Sequence, residues 1–174
     1  MNVPELKQGP TDLCWAFCVA ESFDAKGKYV SPYDIYSQVK GVAYSGGVGL
    51  PATFTELQEA INVAAKMTNC HVKFLNGNGV INDDATFDQA VRDGTWFIIA
   101  GVNAAVLWPG QNYGHFVVVE SLYFTNGTPY VRIADSYRNY DGGSDEYTLN
   151  AFHNAMHANW DSAVDALAFE VVPD

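Results

Sequence analysis

The sequence predicts an α+β protein, with helices gathered in the first half and an antiparallel sheet in the second. Three observations carry that expectation. Helix punctuation is dense early: Ser31-Pro32, Thr53 with Glu56 three positions on, and Gly27, Gly41 and Gly94 as stops. Runs rich in β-branched and aromatic residues crowd the later half, at residues 96–102, 115–124 and 130–134. Asn126-Gly127 separates the last two runs, and that dipeptide suits the positive φ angles of a tight hairpin.

Each element follows from local chemistry. Thr11 or Asp12 can cap a helix that runs to about residue 25, with Gly27 beyond its end. Ser31 as cap and Pro32 as first helical residue open a second helix, closed by Gly41. Gly46-Gly47-Val48-Gly49 reads as a loop. The Thr53–Glu56 capping box opens a third helix, ending near Met67. A strand follows at residues 71–75, then a turn at Asn76-Gly77-Asn78-Gly79. Residues 86–92 suit a short helix stopped by Gly94. After the three strand runs, residues 146–149 suit another strand. Asn150 can cap a helix to about residue 159, and residues 166–172 alternate like a closing strand.

At 174 residues the chain reads as one domain. A chain of this length buries about 70% of its unfolded surface, so it needs no disulfide staples. Hydrophobic residues make up 48% and charged residues 17%, which excludes a disordered polyelectrolyte. The net charge of −11 disfavours nucleic acid and anionic membrane surfaces as partners, and would attract a cationic peptide. No signal peptide is visible, and no apolar run reaches the roughly 18 residues of a membrane span. The location is therefore expected to be cytoplasmic, reached by a non-classical route, or that of a domain excised from a longer chain. Nothing in the sequence indicates an oligomeric state. Of three cysteines, Cys14, Cys18 and Cys70, at least one must be free. Cys18 reads as a buried core thiol, with a Cys18–Cys70 disulfide as the alternative.

The chemistry concentrates in Gln8-Gly9-Pro10-Thr11-Asp12-Leu13-Cys14-Trp15-Ala16-Phe17. This places Cys14 at the head of an apolar helix, six positions after Gln8. Unpaired N–H groups and the macrodipole at a helix start favour a thiolate. Gln8 can donate to a developing oxyanion together with the Cys14 backbone N–H. Asp12 would oppose ionisation unless it faces solvent. A thiol also needs a base, and the base needs a third group to orient it. His115, after Gly114 and before an apolar run, suits the base better than His71, His153 or His157. Asp135, at the end of residues 130–134, suits the orienting role; Asp141 and Asp145 lie in a glycine-containing loop and read as solvated. Antiparallel pairing across Asn126-Gly127 would bring Asp135 back beside His115. His153 and His157 lie one helical turn apart, the spacing of a metal pair, but position 154 is Asn where the zinc-protease motif needs Glu, so a polar helix face is expected and no metal. Asn126-Gly127-Thr128 fits a glycosylation sequon and is read as a turn.

In these motifs the chain resembles the papain-like cysteine peptidases. Gln8 to Cys14, with Cys-Trp-Ala-Phe, is similar to the family's nucleophile motif. Gly114-His115 resembles its histidine strand. Asp135-Ser136-Tyr137 resembles its Asn-Ser-Trp segment, with Asp and Tyr in place of Asn and Trp. Size and the start of the chain are closest to minimal bacterial members, namely bacteriocin-leader-processing peptidases and effector proteases. The resemblance implies a helical lobe and a β lobe with a cleft between them, and no pro-domain within the chain. It implies a cysteine endopeptidase acting on peptide or protein substrates through a thioester, with catalytic Gln8, Cys14, His115 and Asp135 and no cofactor. Ser136 and Tyr137 would shield the His–Asp pair. A papain-fold acyltransferase, transglutaminase or glutamine deamidase would use the same set, and a non-catalytic binding domain would not need it.

Overall fold

The computed structural model describes residues 1–137 and 145–174. In chain order these residues form α1 (Cys14–Asp24), α2 (Pro32–Lys40), α3 (Phe54–Met67), β1 (Cys70–Phe74), a 3-10 turn (Leu75–Gly77), β2 (Val80–Ile81), α4 (Asp84–Asp93) and β3 (Phe97–Asn103). There follow α5 (Ala104–Leu107), β4 (Gly114–Thr125), β5 (Thr128–Ala134), β6 (Glu146–Thr148), α6 (Leu149–His157) and β7 (Ala166–Pro173). The α+β expectation holds. The loop position Asp141 lies outside the described residues.

Most helix ends form as the local chemistry dictates. Ser31 accepts from the Tyr33 N–H, and Gly41 closes α2 in the left-handed region. Thr53 and Glu56 form both halves of the capping box on α3. Gly94, at φ 71°, closes α4. Two expected caps differ. Helix α6 is capped by Thr148, whose side chain accepts from the Ala151 N–H, not by Asn150. Helix α1 begins after Leu13 and has no side-chain cap, so neither Thr11 nor Asp12 serves there. Thr11 is engaged elsewhere, and Asp12 is exposed with its N–H on the Val48 carbonyl at 2.7 Å.

The sheet runs in the order β1-β7-β3-β4-β5-β6, with β2 also on β7, and these strands pair antiparallel among the described residues. Strand period divides the interior into two cores. Phe97 and Ile99, Phe116 and Val118, and Leu167 and Phe169 face α1, α2 and α3. Ile98 and Ala100, Val117 and Val119, and Ala166 and Ala168 face α4, α5 and α6. The central strands are buried on both sides, so they read in sequence as unbroken apolar runs. The helical layer expected from the first half is thus joined by a second layer, largely from α4 and α6, on the opposite face.

Helix α1 is the centre of the first core; every one of its residues except Asp24 is buried. Trp15 is fully buried and donates its indole N–H to the Leu50 carbonyl at 3.0 Å, which anchors the glycine-rich loop beside the start of α1. Cys14, Cys18 and Cys70 are all free. Cys18 is the buried core thiol, directed at the Phe116 carbonyl. No helix among the described residues is long and apolar enough to cross a membrane.

Candidate active site

Cys14, His115 and Asp135 come together from three elements. Cys14 opens α1, His115 is the second residue of β4, and Asp135 follows β5 immediately. The hairpin brings the last two together: Val118 pairs with Ala134, and Asp135 continues past that rung toward the start of β4. The His115 Nε2 lies 2.6 Å from Asp135 Oδ1, and both residues are buried. With Nε2 on the carboxylate, Nδ1 is left for the thiol, and Cys14 and His115 border the same cavity. The Tyr137 N–H also donates to Asp135 Oδ1 at 2.9 Å, which fixes the carboxylate.

Electrostatics favour a charged His115. Burial alone would push its pKa down, because the imidazolium loses water. The electrostatic interaction with Cys14 and the hydrogen bond to Asp135 outweigh burial and raise it from 6.5 to about 10. Deeper in the core the balance reverses for Cys18, where burial first and Glu21 second push the thiol well up. Cys18 is therefore an inert thiol while Cys14 faces open space.

Three aromatic rings enclose the imidazole edge-on: Trp108 at 5.8 Å, Tyr113 at 5.9 Å and Tyr137 at 5.8 Å between centroids. Trp108 is held by a hydrogen bond from its indole N–H to the Tyr147 hydroxyl. Tyr137 was legible as a shield; Trp108 and Tyr113 were not, because they come from the segment between β3 and β4, which reads only as a loop.

Gln8 is buried, and its amide is fixed at both ends. Its Nε2 donates to the Thr11 carbonyl at 2.7 Å and lies 3.5 Å from the Thr11 hydroxyl oxygen. Its Oε1 accepts from the Ser136 hydroxyl, and its backbone N–H donates to the Ser136 carbonyl at 3.0 Å. Thr11, expected to cap α1, instead aligns Gln8, and the first turn of α1 is left without a side-chain acceptor.

Two cavities meet at Cys14. One of about 390 Å³ is walled by Pro51, Ala52, Phe116 and Trp160. The other, of about 190 Å³, lies toward His115, Tyr113, Tyr137 and Asp12. Cys14, Pro51 and Gly114 border both. Trp160 stacks on Phe54 at 5.6 Å and meets Phe116 edge-on at 5.0 Å. It lies so close to Gly114 that a Cβ there would come within 2.5 Å of the indole.

His153 and His157 each meet a carboxylate of α4. His153 Nε2 lies 2.7 Å from Asp88, and His157 Nε2 lies 2.8 Å from Asp84. Among the described residues no group of His, Cys, Asp and Glu is arranged to hold a metal ion.

No protein-family model and no curated protein sequence matches the chain. Solved structures do. A double glycine motif protease from an AMS/PCAT transporter, in complex with the leader peptide, superposes with a TM-score of 0.58 at 14% identity, over 99% of this chain and 93% of that one. The peptidase domain of Streptococcus ComA, a bi-functional ABC transporter involved in a quorum sensing pathway, gives 0.58 at 19% identity and 98% coverage of both chains. The fold is papain-like. Digestive procathepsin L 3 of the Tenebrio molitor larval midgut gives 0.59 at 15% identity, with 98% of this chain matched to 66% of that one. The fold expectation drawn from the three motifs is therefore met over nearly the whole chain.

Proposed function

We propose that the chain is a single cysteine peptidase domain, and that it hydrolyses peptide bonds in peptide or protein substrates. The observation that carries this reading is the buried Cys14–His115–Asp135 line, opening where two cavities meet at the thiol. A cavity on each side of the sulfur suits a chain that continues in both directions from the scissile bond, as an endopeptidase requires. The papain-like fold and its presence in two peptidases of similar size support the reading, one of them solved with a peptide bound.

In this mechanism the Cys14 thiolate attacks the carbonyl carbon, forming a C–S bond, and the electron pair of the C=O bond moves to oxygen. The oxyanion is met by the Cys14 N–H at the uncapped start of α1 and by the Gln8 side-chain amide. His115 passes its proton to the departing amine as the C–N bond breaks, leaving a thioester. It then takes a proton from water, whose oxygen attacks the thioester; the acid product leaves and the thiolate returns. Asp135 holds the ring and stabilises the imidazolium throughout. Neither half-reaction calls on a metal or organic cofactor.

The test is product analysis of a peptide library with the wild-type protein and a Cys14→Ala control. Paired fragments formed only by wild type support hydrolysis. Amine-linked products, or ammonia released from glutamine without chain cleavage, would reassign the same thioester chemistry to transfer or deamidation. No product of any kind from wild type would remove the catalytic reading.

A further inference from the structure

One buried acid takes no part in this chemistry. Glu21 lies seven residues after Cys14, two helical turns along α1, and is fully buried in a helix otherwise built mostly of apolar and small residues. Its Oε2 accepts the Leu6 N–H at 3.1 Å, while Oε1 has no hydrogen-bond partner among the described residues. Burial pushes the carboxyl well above the usual carboxylate range, while the Leu6 N–H pulls it the other way. A buried acid with one unsatisfied oxygen costs stability that an apolar side chain of the same size would not. What it supplies in return is an anchor for the segment before α1.

Residues 5–8 form a strap pinned at several points. The Asp135 N–H donates to Glu5 Oε2 at 3.4 Å. Leu6 is tied to Glu21, and Gln8 is tied to Ser136 by backbone and side chain. The strap thus joins the helix that carries Cys14 to the corner that carries Asp135, and Gln8 hangs from it two residues after the Glu21 anchor.

We propose that Glu21 is a positioning residue for Gln8: by holding Leu6 against α1, it sets the Gln8 amide in register with the thiol at the head of the same helix. The inference rests on the reading of Gln8 as oxyanion donor. The anchor is the oxygen that accepts the Leu6 N–H, so Gln in place of Glu21 keeps it and Leu removes it.

The experiment uses Glu21→Gln and Glu21→Leu, each alone and combined with Gln8→Ala. Leu6→Pro serves as a second disruption, because it deletes the N–H donor without touching α1. Turnover and amide hydrogen exchange are both read. Glu21→Gln is expected to stay within about twofold of wild-type kcat. Glu21→Leu and Leu6→Pro are expected to lose about tenfold to a hundredfold in kcat with KM little changed, the scale of a misplaced catalytic donor. In the Gln8→Ala background Glu21→Leu should cost nothing further, since the two act as one unit. Exchange at Leu6 and Gln8 should quicken at least tenfold in Glu21→Leu while the β3 amides stay protected.

Additive losses in the double variant would overturn the inference, because Glu21 would then act without Gln8. Unchanged exchange at Leu6 and Gln8 in Glu21→Leu would overturn it too. If Glu21→Leu fails to fold, Leu6→Pro with unchanged kcat and unchanged Gln8 exchange does the same. Gln8→Ala with wild-type turnover would instead sink the reading of Gln8 itself, and the exchange arm still decides whether Glu21 holds the strap.

Discussion

His115 and Asp135 are twenty residues apart in sequence and 2.6 Å apart in space, because a hairpin folded at Asn126-Gly127 returns the end of β5 to the start of β4. The carboxylate lies at the far side of the ring from the thiol. It is held in turn by the Tyr137 N–H.

That arrangement predicts an order among variants. Asp135→Asn should keep much of the turnover, since an amide oxygen can accept the same ring N–H. Asp135→Ala should lose far more, because nothing then fixes the ring. Asp145→Ala should cost far less turnover than Asp135→Ala, because the Asp145 carbonyl that accepts the Ile133 N–H survives the change. Turnover of the three on one substrate checks this; a fully active Asp135→Ala would show that the orienting group has been misassigned.

Alkylation should single out Cys14. It borders both cavities, while Cys18 is wholly buried with its thiol pKa pushed up, and Cys70 is buried at the foot of β1. Brief iodoacetamide treatment followed by peptide mass mapping should place the label on Cys14 first. Equal labelling of all three would remove it as the reactive thiol.

Gln8→Ala should lower turnover by roughly 10²–10³ with only a modest change in melting temperature, the loss seen for a single oxyanion donor. The Ser136 hydroxyl sets which end of that amide faces Thr11, so Ser136→Ala should lower turnover in the same direction by less. Steady-state kinetics with a melting curve for each variant separates the chemical effect from a loss of fold.

The raised pKa of His115 carries a sign. Below 6.5 the ring is protonated whether folded or unfolded, and its pairing with Cys14 and Asp135 stabilises the fold in full. Between 6.5 and about 10 the unfolded chain loses that proton and the folded one keeps it, so this contribution shrinks as pH rises and is gone above about 10. Cys14→Ala removes the largest contribution that raises the value, so the midpoint should move down. Imidazole NMR titration of both proteins checks it; an unshifted midpoint in Cys14→Ala would break the proposed thiolate–imidazolium pairing.

Gly114→Ala should reshape the larger cavity. The new Cβ would meet the Trp160 indole at 2.5 Å and push it from its stack on Phe54. Overpacking of this kind costs about 1–3 kcal/mol. Melting temperature should fall and kcat/KM should change with the size of the substrate side chain beside the thiol. An unchanged preference profile would mean that Trp160 does not line a substrate site.

Much of this protein was legible before folding was considered, because the signals are local. Ser31-Pro32, the Thr53–Glu56 box and Asn126-Gly127 act within one turn of chain, and each forms where the residues dictate. The return of Asp135 toward His115 was legible too, from the Asn126-Gly127 turn, but a register shift between Val119 and Ser121 decided that the two share a face of the sheet. The α1 cap was misread for a tertiary reason. Thr11 has the chemistry of a cap, but its carbonyl and hydroxyl instead face Gln8. Asn150 lost its expected role to Thr148, two positions away, where backbone direction rather than residue type decides. Only the tertiary structure placed β7 between β1 and β3, laid α4 and α6 over the second face of the sheet, and brought Trp160 and Trp108 to the site. It also revealed Glu21, an acid that sequence reading would set on a helix surface. Long-range contacts leave no periodic trace, so which buried groups meet is settled by packing and by the need to satisfy each buried N–H, not by any spacing along the chain.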